Sequence, residues 1–249
     1  MENSLLVSLS QQLATYRAMD VIANNIANVS TPGFKRDSAK FEEYVAMMRP
    51  AEGQKGLQPV SFVKDAGVNR DTGQGNIEQT GARYDLAISG KGYFAVQTPA
   101  GIRYTRDGHF SLDGNGNLVT SQGYQVQGDG GAITIAPTDG DINIAPDGMI
   151  SSVVNGVGNQ LGKIKVVDFA DDTLLTKRGS SLYSTGQTPV TPPVVTIRQG
   201  SLEASNVQPV IEISKMIEVM RAYEATANLS KSEEDMMRQA IDRLGQVPN

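Results

Sequence analysis

Between Ser4 and Asn28, and again between Pro209 and Leu244, the chain contains no glycine and no internal proline, whereas glycine punctuates most of what lies between. Runs free of both breakers can carry long helices, because nothing in them removes a backbone donor or adds backbone entropy. In the first run apolar residues recur at Leu5, Leu9, Leu13, Tyr16, Met19, Val21, Ile22, Ile26 and Val29. Most gaps are three or four residues, the helix period. Ser30-Thr31-Pro32-Gly33-Phe34 ends it: proline restricts its predecessor, and glycine permits positive φ. The second run places Ile213, Met216, Ile217, Met220, Tyr223, Ala227, Met236, Met237, Ala240, Ile241 and Leu244 on the same period. It predicts a helix of roughly 35 residues, about 50 Å if unbroken, a length suited to a coiled coil or helical repeat. Ser205 or Asn206 is placed to cap its start and Gly245 its end, and the stripe weakens over Ser230–Glu234, the point at which the helix could break.

After the first helix, Phe41, Tyr44, Val45 and Met48 suggest a short second helix or an adaptable segment, and Arg49–Gly56 reads as linker. From about Gly67 to Gly200 the texture changes to short apolar or alternating runs: Tyr84–Ile88, Tyr93–Gln97, His109–Leu112, Asn117–Thr120, Tyr124–Gln127, Ala132–Ile135, Leu161–Phe169 and Val194–Arg198. Gly90-Lys91-Gly92, Asp113-Gly114-Asn115-Gly116, Gly128-Asp129-Gly130-Gly131 and Asp147-Gly148 mark turns between them. No helical pattern intervenes, so βαβ units are not expected. The fold class is therefore mainly β: short antiparallel strands in a central β-domain, flanked by N- and C-terminal helices that pair as a coiled-coil-like α-helical stalk. The expected divisions are an N-terminal helical segment 1–48, a linker 49–66, an all-β domain 67–200 and a C-terminal long helix 201–249.

Two such helices must cover their stripes. They do so by pairing with each other and with neighbouring copies, or by folding back on their own β-domain. The first reading makes the chain part of a homo-oligomeric assembly; a monomeric β-domain binder is the alternative.

Composition removes most chemistry. The 249 residues include no cysteine, no tryptophan and one histidine, so disulfides, thiol catalysis, cysteine-ligated metal and an HExxH site are excluded. The net charge of -5 disfavours nucleic acid as a partner. No stretch approaches a membrane span, and the first residues lack the basic and apolar regions of a secretory signal. Asp113 and Asp139 each begin a calcium-like run, but the positions that need glycine and glutamate hold Leu118 and Tyr124 in one and Ile144 and Ile150 in the other; both read as hairpin turns. Gly73-Gln74-Gly75-Asn76 and Gly90-Lys91-Gly92 match no phosphate loop. His109, with Asp107 and Ser111 able to share a strand face, is the one candidate acid–base group. Asp107-Gly108 reads as a turn, however, and the histidine as structural. No catalytic, cofactor-binding or metal-binding residues are assigned, and no cofactor is expected.

Three segments carry a resemblance. Asp20-Val21-Ile22-Ala23-Asn24-Asn25-Ile26-Ala27-Asn28-Val29-Ser30-Thr31-Pro32-Gly33-Phe34-Lys35 resembles the N-terminal signature of the axial proteins of the bacterial flagellum, the rod, hook and hook-associated proteins. Ser201-Leu202-Glu203-Ala204-Ser205-Asn206-Val207, with Met216-Ile217, Arg221-Ala222-Tyr223-Glu224 and Asn228, is similar to their C-terminal helix region. Between them, Gly81–Ile88, Gly92–Val96 and Tyr104–Phe110 resemble their middle. The opening Met1–Leu6 and the modest length are more like the proximal than the distal rod members; Val29-Ser30-Thr31-Pro32 stands where many members carry asparagine and threonine.

The resemblance implies a structural subunit of the basal-body rod in the periplasmic space, passing torque to hook and filament. Its implied partners are copies of itself, the distal and more proximal rod subunits, the flagellar type III export apparatus that passes it unfolded, and the surrounding ring. An enzyme acting on peptidoglycan is the competing reading. On the rod reading, Leu5, Leu9, Leu13, Ile22 and Ile26 are expected to pack against Ile213, Ile217, Met220 and Tyr223, within and between copies. Asn24, Asn25 and Asn28 are expected to cap locally or to specify register. Arg221 and Glu224, three apart, are expected to pair across subunits or face solvent.

Overall fold

The computed structural model describes residues 2–48, 56–136, 138–154, 157–192 and 195–245. It divides into two compact units, one made of residues 1–27, 37–70 and 208–249 and the other of residues 28–36 and 71–207.

The first unit holds α1 (Glu2–Ala27), β1 (Asp37–Met48), β2 (Gln58–Arg70) and α2 (Pro209–Gly245). Both breaker-free runs are helices, and they pack on each other. α2 is continuous through Ser230–Glu234, where the apolar stripe weakens. Lys231, Glu233 and Glu234 are good helix formers, so a weaker apolar stripe does not stop the backbone. Its start is not capped by Ser205 or Asn206. Pro209 opens it, using a position whose missing N–H would have no helical partner anyway.

Residues 41–48 are not helical. β1 pairs antiparallel with β2, Tyr44 opposite Phe62 and Val45 opposite Ser61, with a register shift between Ala39 and Phe41. A short apolar run spaced by three and four is ambiguous on its own, and aromatic and β-branched residues favour a strand once a partner exists. That partner includes residues 58–66, expected to be linker; residues 49–55 of that linker lie outside the described residues. A two-stranded hairpin is marginal alone. Here α1 packs against both strands. The Val63 N–H donates to Ser10 Oγ at 3.4 Å, and Arg17 meets Asp65 at 3.2 Å.

The second unit is the β-rich one. Its largest sheet runs Thr176–Lys177, Leu182–Ser184, Gly101–Thr105, Tyr93–Thr98, Gln125–Gly128, Leu118–Thr120, Phe110–Leu112, with neighbours antiparallel. Asp141–Ile144, Met149–Val154 and Val157–Lys163 form a three-stranded sheet. Thr196–Gln199 pairs with Leu86–Ser89, and Ser201–Glu203 with Ile77–Gln79, so residues 201–207 close the β-rich unit rather than open the C-terminal helix. Tyr93–Thr98 is the central strand. Phe94 and Val96 face a core with Leu86, Leu118, Ile135 and Ile150; Tyr93 and Ala95 face a second core with Tyr104, Phe169 and Tyr183. Both faces are covered, which is why the segment reads as a solid apolar run rather than an alternating one.

Asp113-Gly114-Asn115-Gly116 turns the hairpin between Phe110–Leu112 and Leu118–Thr120, as its composition predicts. The Asp113 carboxylate accepts the N–H groups of Asn115 and Asn117, each at 2.8 Å, and the Asn117 amide at 2.9 Å. These donors, the Asn117 side chain foremost, hold its carboxyl below the ordinary value.

Candidate assembly interface and buried ionic junction

The residues singled out on the two helices do not all do the same thing. Ile22 and Asn25 are buried, Leu5, Ile26, Asn28 and Tyr223 are half-buried, and Asn24, Arg221 and Glu224 are exposed. Five of the nine apolar residues expected to seal the helix pair stay largely uncovered: Leu9 is 51% exposed, Leu13 63%, Ile213 49%, Ile217 47% and Met220 47%. Met236 and Ile241, further along α2, are also exposed. Two faces rich in apolar surface therefore remain on the first unit after its own packing is complete. No helix of the described residues is long and apolar enough to cross a membrane.

The helices run antiparallel. Near the end of α1, Asn25 meets Glu212 in the first turn of α2; near its beginning, Val7, Ser8 and Gln11 line one groove with Thr226 and Leu229. Asn25 is 1% exposed. Its amide donates to Glu212 Oε2 at 2.9 Å and to the Asp37 carbonyl at 2.7 Å, and its oxygen accepts the Asp37 N–H at 3.0 Å. Glu212, equally buried, also faces Lys215 at 3.4 Å. Asp37 in turn pairs with Arg70 at 3.1 Å across the hairpin. Of the three asparagines, Asn25 thus joins both helices to the start of β1. The Asn28 oxygen accepts the Thr31 hydroxyl at 3.2 Å and its carbonyl the Thr31 N–H at 3.2 Å, the local turn that follows α1.

The second unit contains a junction that the sequence reading missed. Lys35, 1% exposed, places Nζ 2.5 Å from Glu203 Oε1 and donates to the Gly73 carbonyl at 2.8 Å. Glu203 Oε1 also accepts the Gly75 N–H at 3.0 Å, and Oε2 accepts Arg106 Nη1 at 3.2 Å. Arg106 donates onward to the carbonyls of Ile88 and Gly90 and lies over the Tyr93 ring. Burial pushes the Lys35 ammonium below its ordinary value, against the pull of the Glu203 charge. Around this triad, Asn206 accepts the Arg36 N–H and donates to the carbonyls of Asp71 and Gly73, and Lys177 sits over the Phe34 ring while donating to the Lys35 carbonyl. Gly33 makes the approach possible: its φ is +66°, and a Cβ there would lie 2.4 Å from the Arg106 backbone carbon.

The three resembling segments therefore meet. Lys35 closes the first, Arg106 sits in the middle one and Glu203 in the last. The signal was present as a charged residue in each segment, beside others such as Asp20, Asp107 and Arg221. Its partners were hidden because Lys35 and Glu203 are 168 positions apart.

His109 is not arranged as an isolated acid–base group. Its ring nitrogen Nδ1 lies 2.8 Å from Asp85 Oδ1, and Thr80 donates to Asp85 Oδ2 at 2.7 Å. Asp107 lies outside the strand that carries Ser111 and accepts the His109 N–H, so it fastens the turn; burial raises its carboxyl above the ordinary value. Among the described residues no group of three or more histidine, aspartate or glutamate side chains is placed to hold a metal ion.

Three family models match the chain: "Flagella basal body rod protein" over residues 5–35, "Flagellar hook protein FlgE/F/G D1 domain" over 87–152 and "Flagellar basal body rod FlgEFG protein C-terminal" over 198–243. The chain is 44% identical over 252 residues to the flagellar basal-body rod protein FlgF of Caulobacter vibrioides, covering 99% of this chain and 100% of that one. It is 34% identical to the FlgG of the same organism, covering 97% and 98%. To the FlgG of Buchnera aphidicola from Acyrthosiphon pisum it is 38% identical, covering 91% and 93%.

Proposed function

The chain belongs to the flagellar basal-body rod protein family, a family of structural subunits of the axial rod, and from that premise we propose that it is a subunit of the proximal rod. It polymerises with copies of itself and with other rod subunits into the shaft that carries motor torque to hook and filament. On this reading it works in the periplasmic space, enters through the flagellar export apparatus and is encircled by the basal-body ring. The higher identity to FlgF than to FlgG within one organism, 44% against 34%, supports the proximal assignment.

One observation carries the assembly reading: Leu9, Leu13, Ile213, Ile217 and Met220 remain about half exposed on two long helices after the chain has made its own contacts. We assign these residues, with Leu5, Asn24, Ile26, Asn28, Arg221, Tyr223 and Glu224 around them, to the subunit interface; Ile22 and Asn25, buried within the chain, support it from beneath. Each apolar side chain fully covered by a neighbour contributes roughly 1.5–3 kcal/mol. An exposed ion pair contributes about 0–1 kcal/mol. The apolar seam therefore dominates the resistance of the joint to shear.

Ile217→Asp tests this. A charge inside the seam should prevent rod incorporation and motility, while the secreted variant keeps the β-rich unit folded by circular dichroism and protease resistance. Normal rods built from Ile217→Asp would remove the basis of the reading. Complementation separates the two branches. The chain should restore rods in a strain lacking its own proximal subunit and not in one lacking the distal subunit, and the reverse pattern would reassign it.

A further inference from the structure

We infer that Asn25 and Glu212 together set the register of the α1–α2 pair. The apolar stripes do not fix it. Leu5, Leu9 and Leu13 repeat every four residues, and Ile213 and Ile217 do the same. Sliding one helix by a turn, about 6 Å, brings like residues to like places. Leu9, Leu13, Ile213 and Ile217 are about half exposed or more, so a slide costs these four little apolar burial.

The polar pair has no such periodicity. Both side chains are almost fully buried, and a one-turn slide would leave a carboxylate and an amide without each other in a place closed to water. Asn25 also holds both backbone groups of Asp37, so the same side chain fixes where β1 begins relative to α1. A single buried polar contact choosing one register among near-equal apolar alternatives is an established use of such pairs. The other end of the pair agrees. Ser8 lies 17 residues before Asn25 and Leu229 lies 17 after Glu212, and Leu229 is the middle one of the three α2 residues, Thr226, Leu229 and Glu233, that line a groove with Ser8. The inference concerns the folded chain alone, so its failure leaves the rod reading untouched.

The chain contains no cysteine, so engineered pairs report register cleanly. Ser8→Cys is combined in the full-length protein with Leu229→Cys for the observed register, or with Ala225→Cys or Glu233→Cys for one-turn shifts. Intrachain disulfides are quantified by peptide mass mapping after mild oxidation. The 8–229 product is expected to exceed each shifted product by at least about tenfold, which corresponds to a preference of about 1.4 kcal/mol. In Asn25→Leu the excess should collapse. Asn25→Leu/Glu212→Leu, which removes the buried carboxylate together with its amide partner, should keep the helical far-UV signal and still give mixed products. An 8–229 excess that survives in the double variant overturns the inference. So does a parent with no 8–229 preference, or loss of helix in both variants, which would make the pair mere support.

Discussion

Replacing Glu203 by glutamine isolates the junction of the second unit. The side chain keeps its shape and one carbonyl oxygen, but Lys35 and Arg106 lose the countercharge that both touch, at 2.5 and 3.2 Å. Removing one partner of a buried ion pair costs about 3–5 kcal/mol, because the remaining charge stays desolvated. That is a large share of the roughly 5–15 kcal/mol that holds a domain together. The loss should also depend on pH. Burial already lowers the Lys35 value below its ordinary 10.5, and without Glu203 the main opposing influence is gone. In the variant, folded Lys35 then binds fewer protons than the unfolded chain at pH values between its lowered value and 10.5, so stability rises with pH across that window. The slope is at most about 1.4 kcal/mol per pH unit for one group. Urea unfolding of the full-length chain, followed by near-UV circular dichroism from the buried tyrosines, measures both effects. A Glu203→Gln midpoint within about 1 kcal/mol of the parent at pH 7, and flat to pH 10, would refute the reasoning. Lys35→Met/Arg106→Met/Glu203→Met should recover part of the loss, since apolar replacement of all three members leaves no uncompensated charge of the triad.

Two further perturbations follow from single contacts. Gly33→Ala adds a Cβ 2.4 Å from the Arg106 backbone at a φ of +66°, and should lower stability by about 3 kcal/mol or more; an unchanged urea midpoint would show that the 28–36 segment can move aside. Asp113, whose carboxyl is held below its ordinary value by the Asn117 side chain and turn amides, gives stability that is present above the unfolded value and lost as pH falls through the lowered folded value. Asp113→Asn should therefore show a shallower drop in urea midpoint than the parent as pH falls below the ordinary carboxyl value of about 3.9, and equal acid sensitivity would argue against those bonds.

The long terminal helices, the glycine-marked turns and about half of the strands of the β-rich unit follow from local pattern; Gly101–Thr105, Asp141–Ile144 and Met149–Val154 are among those that do not. Breakers, turn residues and apolar period act over a few residues, so the sequence displays them directly. Tyr93–Thr98, Phe110–Leu112 and Leu118–Thr120 fall where the short apolar runs place them. The hairpin of residues 37–70 did not follow, because a strand there exists only through pairing with a segment that looks like linker. The ionic junction was illegible for the same reason in stronger form: Lys35, Arg106 and Glu203 acquire meaning only once folding makes them neighbours in a place without water. Two long stripes of apolar residues announced that something must cover them. Which members are already covered by the chain itself, and which are left for another subunit, was decided by tertiary packing, because burial belongs to a residue's surroundings and not to its type.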